Sequence, residues 1–254
     1  MSATEAASAP PVSRQQRRAM ERAERKHAMA LPAAALVRRF LTSAGQSGGD
    51  EAMRLLAPHL RVPMLLALRR MPDVSREVIQ DAIEELWLSQ HAALLRAIPD
   101  AGGLRALFIG AAYPVPDDMP EAFPIYRGSC GVPAEKAALG MSWTTDPDTA
   151  AHHAFQKRRE GWGDPCVVLR AEARREQVIF SSDDMGCNEV ILDAAPEAWE
   201  VVEMPMEAMA DAADRNLEKI RTFAEEVAAG LHGFSPAARR FTATAKAMMR
   251  RAAR

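Results

Sequence analysis

Three short segments decide how the chain is read: Phe123-Pro-Ile-Tyr-Arg-Gly128, Gly140-Met-Ser-Trp-Thr-Thr145 and Gly186-Cys-Asn-Glu-Val-Ile-Leu-Asp193. Each reads as a β-strand carrying one polar residue that a plain strand does not need. Period-2 alternation puts Phe123, Ile125 and Arg127 on one face and Tyr126 on the other, so Arg127 continues an apolar row and needs an anionic partner. Ser142 and Thr144 share a face, and Trp143 turns the opposite way into packing. Glu189 stands at the head of the apolar run Val190-Ile191-Leu192. A cation, a hydroxyl pair and a carboxylate thus arrive in order on three strands.

Outward from this centre the chain reads mostly as helix. Its 254 residues suffice for one large domain or two small ones, and 48% hydrophobic residues can form a sizeable core. Only 6% are aromatic and alanine is abundant, which favours helix over an all-β sandwich. Residues 1–30 read as a flexible arm with a basic helix, Arg14 to Ala28, and residues 31–112 as a helical region. Within that region short helices are expected over Leu31 to Leu41 and Glu51 to Ala57, separated by a turn from Ser43 to Gly49, with Pro58 limiting the second. The longest runs from Val74 to Ile98, capped by Asp73 or Ser75 and stopped by Pro99. Trp87 and Phe108 belong to the core.

The proline-rich connection Tyr113 to Pro124 leads into a mixed core over residues 113–205. There Asp146-Pro147 opens a helix that buries Ala151, Ala154 and Phe155. Strands are expected at Cys166 to Leu169 and Gln177 to Phe180, with a final strand pair at Glu189 to Leu192 and Glu200 to Glu203. Residues 206–254 return to helix and end in a basic tail.

The net charge of −2 argues against a general polyanion binder, although the basic ends leave room for weak nucleic-acid contact. Three cysteines, Cys130, Cys166 and Cys187, without CxxC spacing argue for reduced thiols rather than a disulfide framework. Adjacent His152 and His153 point apart on a helix, so no metal site is expected. No leader-like apolar segment opens the chain and no run approaches the roughly 18 residues of a membrane span, so a soluble, cytoplasmic protein without membrane contact is expected. No glycine-rich phosphate loop is present, so any nucleotide must be held by strands.

The order Tyr126-Arg127-Gly128, then Ser142-Trp143-Thr144, then Asn188-Glu189-Val190 resembles the ADP-ribosyltransferase family, in its Arg-Ser-Glu, toxin-like branch. The resemblance covers about the middle third of the chain. It implies an α+β fold: a helical N-terminal region, then a split β-sheet core and C-terminal helices. It also implies that NAD is the substrate, cleaved at the nicotinamide-ribose bond, with ADP-ribose passing to a protein, another acceptor or water. Arg127 would clamp phosphate or ribose through charge-assisted bonds of about 1.5–3 kcal/mol each. Gly128 would meet the carboxamide through its backbone, Ser142 would bond the ribose and place Glu189, and Thr144 would support the same face. Glu189 would be the catalytic carboxylate, as in other oxocarbenium chemistry.

Cys187 stands two residues before Glu189, where the branch usually carries an acceptor-orienting Glu or Gln; Asp183 and Asp184 are the nearby acids. The departure leaves the acceptor open. Taken singly, each site residue also has an ordinary structural use: Arg127 in an ion pair, the hydroxyls within strands, Glu189 at a strand end. Two alternatives therefore stand beside the enzyme: an inactive nucleotide-binding module on the same fold, and a helical structural or nucleic-acid-associated protein.

Overall fold

The computed structural model describes residues 32, 34–182 and 188–228. The basic segment Arg14 to Lys26, the acids Asp183 and Asp184, Cys187 and the tail from Pro236 lie outside the described residues. The chain divides into two compact units, 1–104 and 105–254. The division falls inside a helix, eight residues before the joint expected after residue 112.

The first unit holds α1 (Ala34–Ser47), α2 (Gly49–Leu55), α3 (Pro58–Leu68), α4 (Arg76–Ala97) and the start of α5 (Ala101–Ala111). One expectation needs correction here and one an addition. The Ser43 to Gly49 segment is not a turn: Thr42 and Ser47 return their hydroxyls to the carbonyls four residues back, and the helix runs on until Gly48. Nor does Pro58 merely end a helix. At the first position of α3 its missing N–H is no loss and its fixed φ suits the turn. Arg61 of α3 then donates to the carbonyls of Leu56, at 3.0 Å, and Arg54, at 2.8 Å, closing the end of α2. In α4 the Ser75 hydroxyl accepts from Val78 N, and Gln90 (φ −138°, ψ 34°) kinks the helix. Trp87 is buried as expected.

The second unit is built on one antiparallel sheet, in the order β4-β5-β2-β1-β3-β6. Its strands are β1 (Ala122–Cys130), β2 (Ser142–Thr144), β3 (Cys166–Arg174), β4 (Val178–Ser182), β5 (Glu189–Leu192) and β6 (Trp199–Val202). The helices are α6 (Ala134–Ala138), α7 (Pro147–Arg159) and α8 (Met206–Ala228), with a 3-10 turn at Arg175–Gln177. The mixed α/β class is as read from the sequence. The last two strands are not a pair: β5 sits between β4 and β2, while β6 lies on β3 at the far edge. Among the described residues no helix is long and apolar enough to cross a membrane.

Alternation sorts the sheet as expected. Phe123, Ile125, Trp143, Leu169, Val190 and Leu192 form one core with Ala137 and Ala138 of α6. Tyr126 and Val168 turn to the other face, where Ala150, Ala151 and Ala154 of α7 and Met209 and Ala212 of α8 cover them. Phe108 is fully buried, its ring 5.3 Å from that of Phe180.

The cysteine expectation is overturned. Cys130 and Cys166 are register partners at one end of the β1–β3 ladder and form a disulfide. The sheet brings together thiols that lie 36 residues apart, a proximity that sequence spacing does not display.

Helix α7 is fixed at its start and along its length. The Asp146 carboxylate accepts from Asp148 N at 3.0 Å, and Arg215 and Lys219 of α8 pair with Asp148 and Asp146 at 2.7 and 2.8 Å. Beneath these pairs the Thr149 hydroxyl meets the buried Asn216 amide oxygen at 2.8 Å.

His152, on the same helix, is 1% exposed. Burial holds its imidazole below the ordinary histidine value, against the opposing pull of the Ala213 backbone and Asp214. The unfolded chain therefore binds this proton first. The stability tied to His152 is complete above its unfolded value of about 6.5 and is lost as pH falls below it, with a slope approaching 1.4 kcal/mol per pH unit. Urea midpoints at about pH 7.5 and about pH 5.5 should differ by less in His152→Leu than in wild type, because the substitution removes this one proton. An unchanged difference would show that His152 is not an acid-sensitive point of the fold.

Candidate functional site

The position of Arg127 follows from an opening in the sheet. Strand β1 pairs with β3 along its whole length, from Ala122↔Arg174 to Cys130↔Cys166. With β2 it makes a single register pair, Tyr126↔Thr144, and the two strands have no further ladder pair. The Arg127 guanidinium occupies the opening: its Nη1 donates to the carbonyl of Ser142, a backbone group that β1 does not reach. Gly140 makes room, since a Cβ at that position would overlap the guanidinium. The Arg127 Nε is buried without a hydrogen-bond partner. Burial draws the guanidinium below its ordinary value and Glu189 draws it back up, although an arginine stays charged throughout.

Strand β2 is held on its other side by β5, through Ser142↔Ile191, Trp143↔Val190 and Thr144↔Glu189. Ser142 and Glu189 are therefore diagonal neighbours on one face, the spacing at which polar side chains across an antiparallel pair meet. The Ser142 hydroxyl donates to Glu189 Oε1. Asn188 sets up this register. It takes the left-handed conformation (φ 44°) that asparagine tolerates, and its carbonyl accepts from Thr145 N at 3.1 Å. The Ser142 and Glu189 side chains thus meet, and Arg127 reaches the Ser142 main chain; Ser142 and Glu189 are half-buried rather than sealed off.

Two other expected site residues serve the scaffold. Thr144 is buried, and its hydroxyl accepts from Asp146 N at 3.1 Å, which shapes the turn into α7. Gly128 lies beneath α7, where a Cβ would run into the Ala150 carbonyl and come within 2.9 Å of Ala154 N. Glycine at 128 is thus required by helix-on-strand contact, whatever else its backbone does.

Lys157 escaped the sequence reading. It lies in the last turn of α7, half-buried, and burial first and the Arg127 charge second hold its ammonium below the ordinary lysine value. Its signal was the i, i+4, i+7 stripe Ala150, Ala154, Lys157, in which a cation continues a buried alanine face. An open cavity of about 750 Å³ near Ala122, Glu172 and Arg174 lies elsewhere, about five residues or roughly 16 Å down β1 from Arg127. Its arginines are matched by acids, Arg175 with Asp117 at 3.2 Å and Arg174 with Glu176 at 3.9 Å.

Compared with protein-family models, curated proteins and solved structures, the chain matches none. The site is therefore argued on its own geometry.

The two glycines separate stability from site geometry. Gly128→Ala forces a methyl into helix backbone and should cost about 2 kcal/mol or more in urea unfolding. Gly140→Ala meets first the movable end of Arg127 and should cost less than Gly128→Ala, while displacing the guanidinium. Equal losses at both positions would contradict this assignment.

Proposed function

We propose that the protein is an NAD-dependent ADP-ribosyltransferase, in which Glu189 is the catalytic carboxylate and Arg127 and Ser142 hold the substrate. The meeting of the Ser142 hydroxyl with Glu189 beside the Arg127 guanidinium carries this reading, because those groups come from three different strands. The unpartnered Arg127 Nε supports a fit to an anionic ligand: a buried donor without an acceptor is costly, and a phosphate or ribose oxygen would satisfy it.

The chemistry asks little of the protein beyond placement and charge. The bond from ribose C1′ to the nicotinamide nitrogen breaks, its electron pair leaves with the nicotinamide, and C1′ develops oxocarbenium character. An acceptor nucleophile, or water, then bonds to C1′ and releases its proton. Glu189 accepts a hydrogen bond from a ribose hydroxyl, and that bond strengthens as positive charge grows on the sugar. Ser142 fixes the direction of the carboxylate, so that little reorganisation is needed at the moment of bond breaking. Arg127 holds the dinucleotide from the sheet opening.

Nicotinamide release from NAD by the purified full chain tests the reading. Glu189→Gln keeps the shape and removes the charge, and it should lower release by about a hundredfold or more with unfolding unchanged. Absence of release, or equal rates in wild type and variant, would refute it. Thermal stabilisation by NAD without release would instead favour the inactive binding module.

A further inference from the structure

Cys130 and Cys166 are reactive groups that the chemistry proposed above does not use. They form the last register pair of the β1–β3 ladder and are joined as a disulfide. The ladder does not depend on that bond. Eight register pairs precede it, from Ala122↔Arg174 to Ser129↔Val167, and beyond it Gly131 N donates to the carbonyl of Pro165 at 3.0 Å. That hydrogen bond makes the neighbouring Cys130↔Cys166 pair a non-hydrogen-bonded one, in which opposite side chains stand closest. Backbone on both sides therefore keeps the two sulfurs in reach of each other after the bond opens.

The two cysteines differ in their surroundings. Cys130 is 1% exposed, while Cys166 is half-buried at the rim of the apolar cluster beneath α7, so an incoming thiol meets Cys166 first. The Cys130 sulfur lies 3.3 Å from the carbonyl of Gly163 and 3.6 Å from that of Trp162. A reduced Cys130 thiol thus has an acceptor for its proton, and neither redox state strands a buried donor. Both carbonyls belong to residues 160–165, the connection from α7 into β3 that carries the exposed Trp162. Cys166 is the residue at which this connection enters β3. With the disulfide closed, that entry point is tied covalently to β1; with it open, hydrogen bonds hold it, the thiol one being weak.

We propose that Cys130 and Cys166 are a reversible dithiol–disulfide couple, exchanging with a low-molecular-weight thiol such as glutathione, whose state sets how firmly the 160–165 connection is held. In reduction a glutathione thiolate bonds to the Cys166 sulfur; the Cys130–Cys166 bond breaks, and its electron pair goes to the Cys130 sulfur, which takes a proton from water. A second glutathione thiolate attacks the glutathione sulfur of the mixed disulfide and releases Cys166, which is protonated in turn, with glutathione disulfide as the oxidised product. Oxidation by glutathione disulfide runs the same steps in reverse. The couple does not depend on the NAD reading, since it involves neither Ser142 nor Glu189.

The test equilibrates the folded full chain in glutathione buffers of graded oxidation, quenches with acid, and alkylates free thiols after unfolding, with peptide mapping to follow Cys187 separately. Cys130 and Cys166 should become alkylated together as reduced glutathione rises, and should be protected again when glutathione disulfide is restored. Hydrogen exchange at the Gly131 amide should be at least about threefold faster in the reduced protein. Cys166→Ser, at the less buried position, should show the faster exchange in both buffers. A bond that survives reduced glutathione and opens only in denaturant would overturn the couple, as would thiols that fail to pair again. Full cycling with unchanged exchange at Gly131 would overturn the hold on the connection.

Discussion

One interaction organises the second unit: a guanidinium fills the place where two strands stop pairing. After Tyr126↔Thr144, β1 keeps to β3 and β2 keeps to β5, so backbone groups along the opening lose their ladder partners. An unpaired carbonyl in a half-buried position is costly, and Arg127 removes that cost for Ser142. The same contact sets a permanent positive charge at the Ser142 main chain, within electrostatic reach of Glu189. Sheet architecture and site electrostatics therefore share one residue. Removing the arginine would affect both.

Helix α7 supplies the second constraint. It lies so close to β1 that residue 128 has no room for a side chain, and ion pairs from α8 hold its first turn in place. The helix is thereby pinned at its start and pressed on the strand in its middle. Thr144 connects the two constraints, since its hydroxyl shapes the turn from β2 into α7. Residues that serve the scaffold thus surround those that face the opening, and the precision of the latter depends on the packing of the former.

Much of this was legible in the sequence because strands have a period of two. The faces of Ile125, Tyr126 and Trp143 followed from counting, and the Asp146-Pro147 cap marked the start of α7 to the residue. What escaped depended on long-range geometry. The Cys130–Cys166 disulfide requires knowing that β1 and β3 pair in full register, and the separation of β5 from β6 requires knowing the strand order. Pro58 limits one helix as read, and it also begins the next, a second use that a proline does not display in the sequence. Gly128 looked like a motif residue, and only the close approach of Ala150 gives the reason for it.

The central claim is that a dinucleotide lies across this opening with its nicotinamide ribose against Glu189. A crystal structure of the full chain with a non-cleavable carba analogue of NAD tests it most directly. The account predicts a ribose hydroxyl in hydrogen-bond contact with the Glu189 carboxylate and phosphate oxygens on the Arg127 guanidinium. An analogue bound elsewhere on the protein, or bound here with its ribose turned away from Glu189, would contradict it.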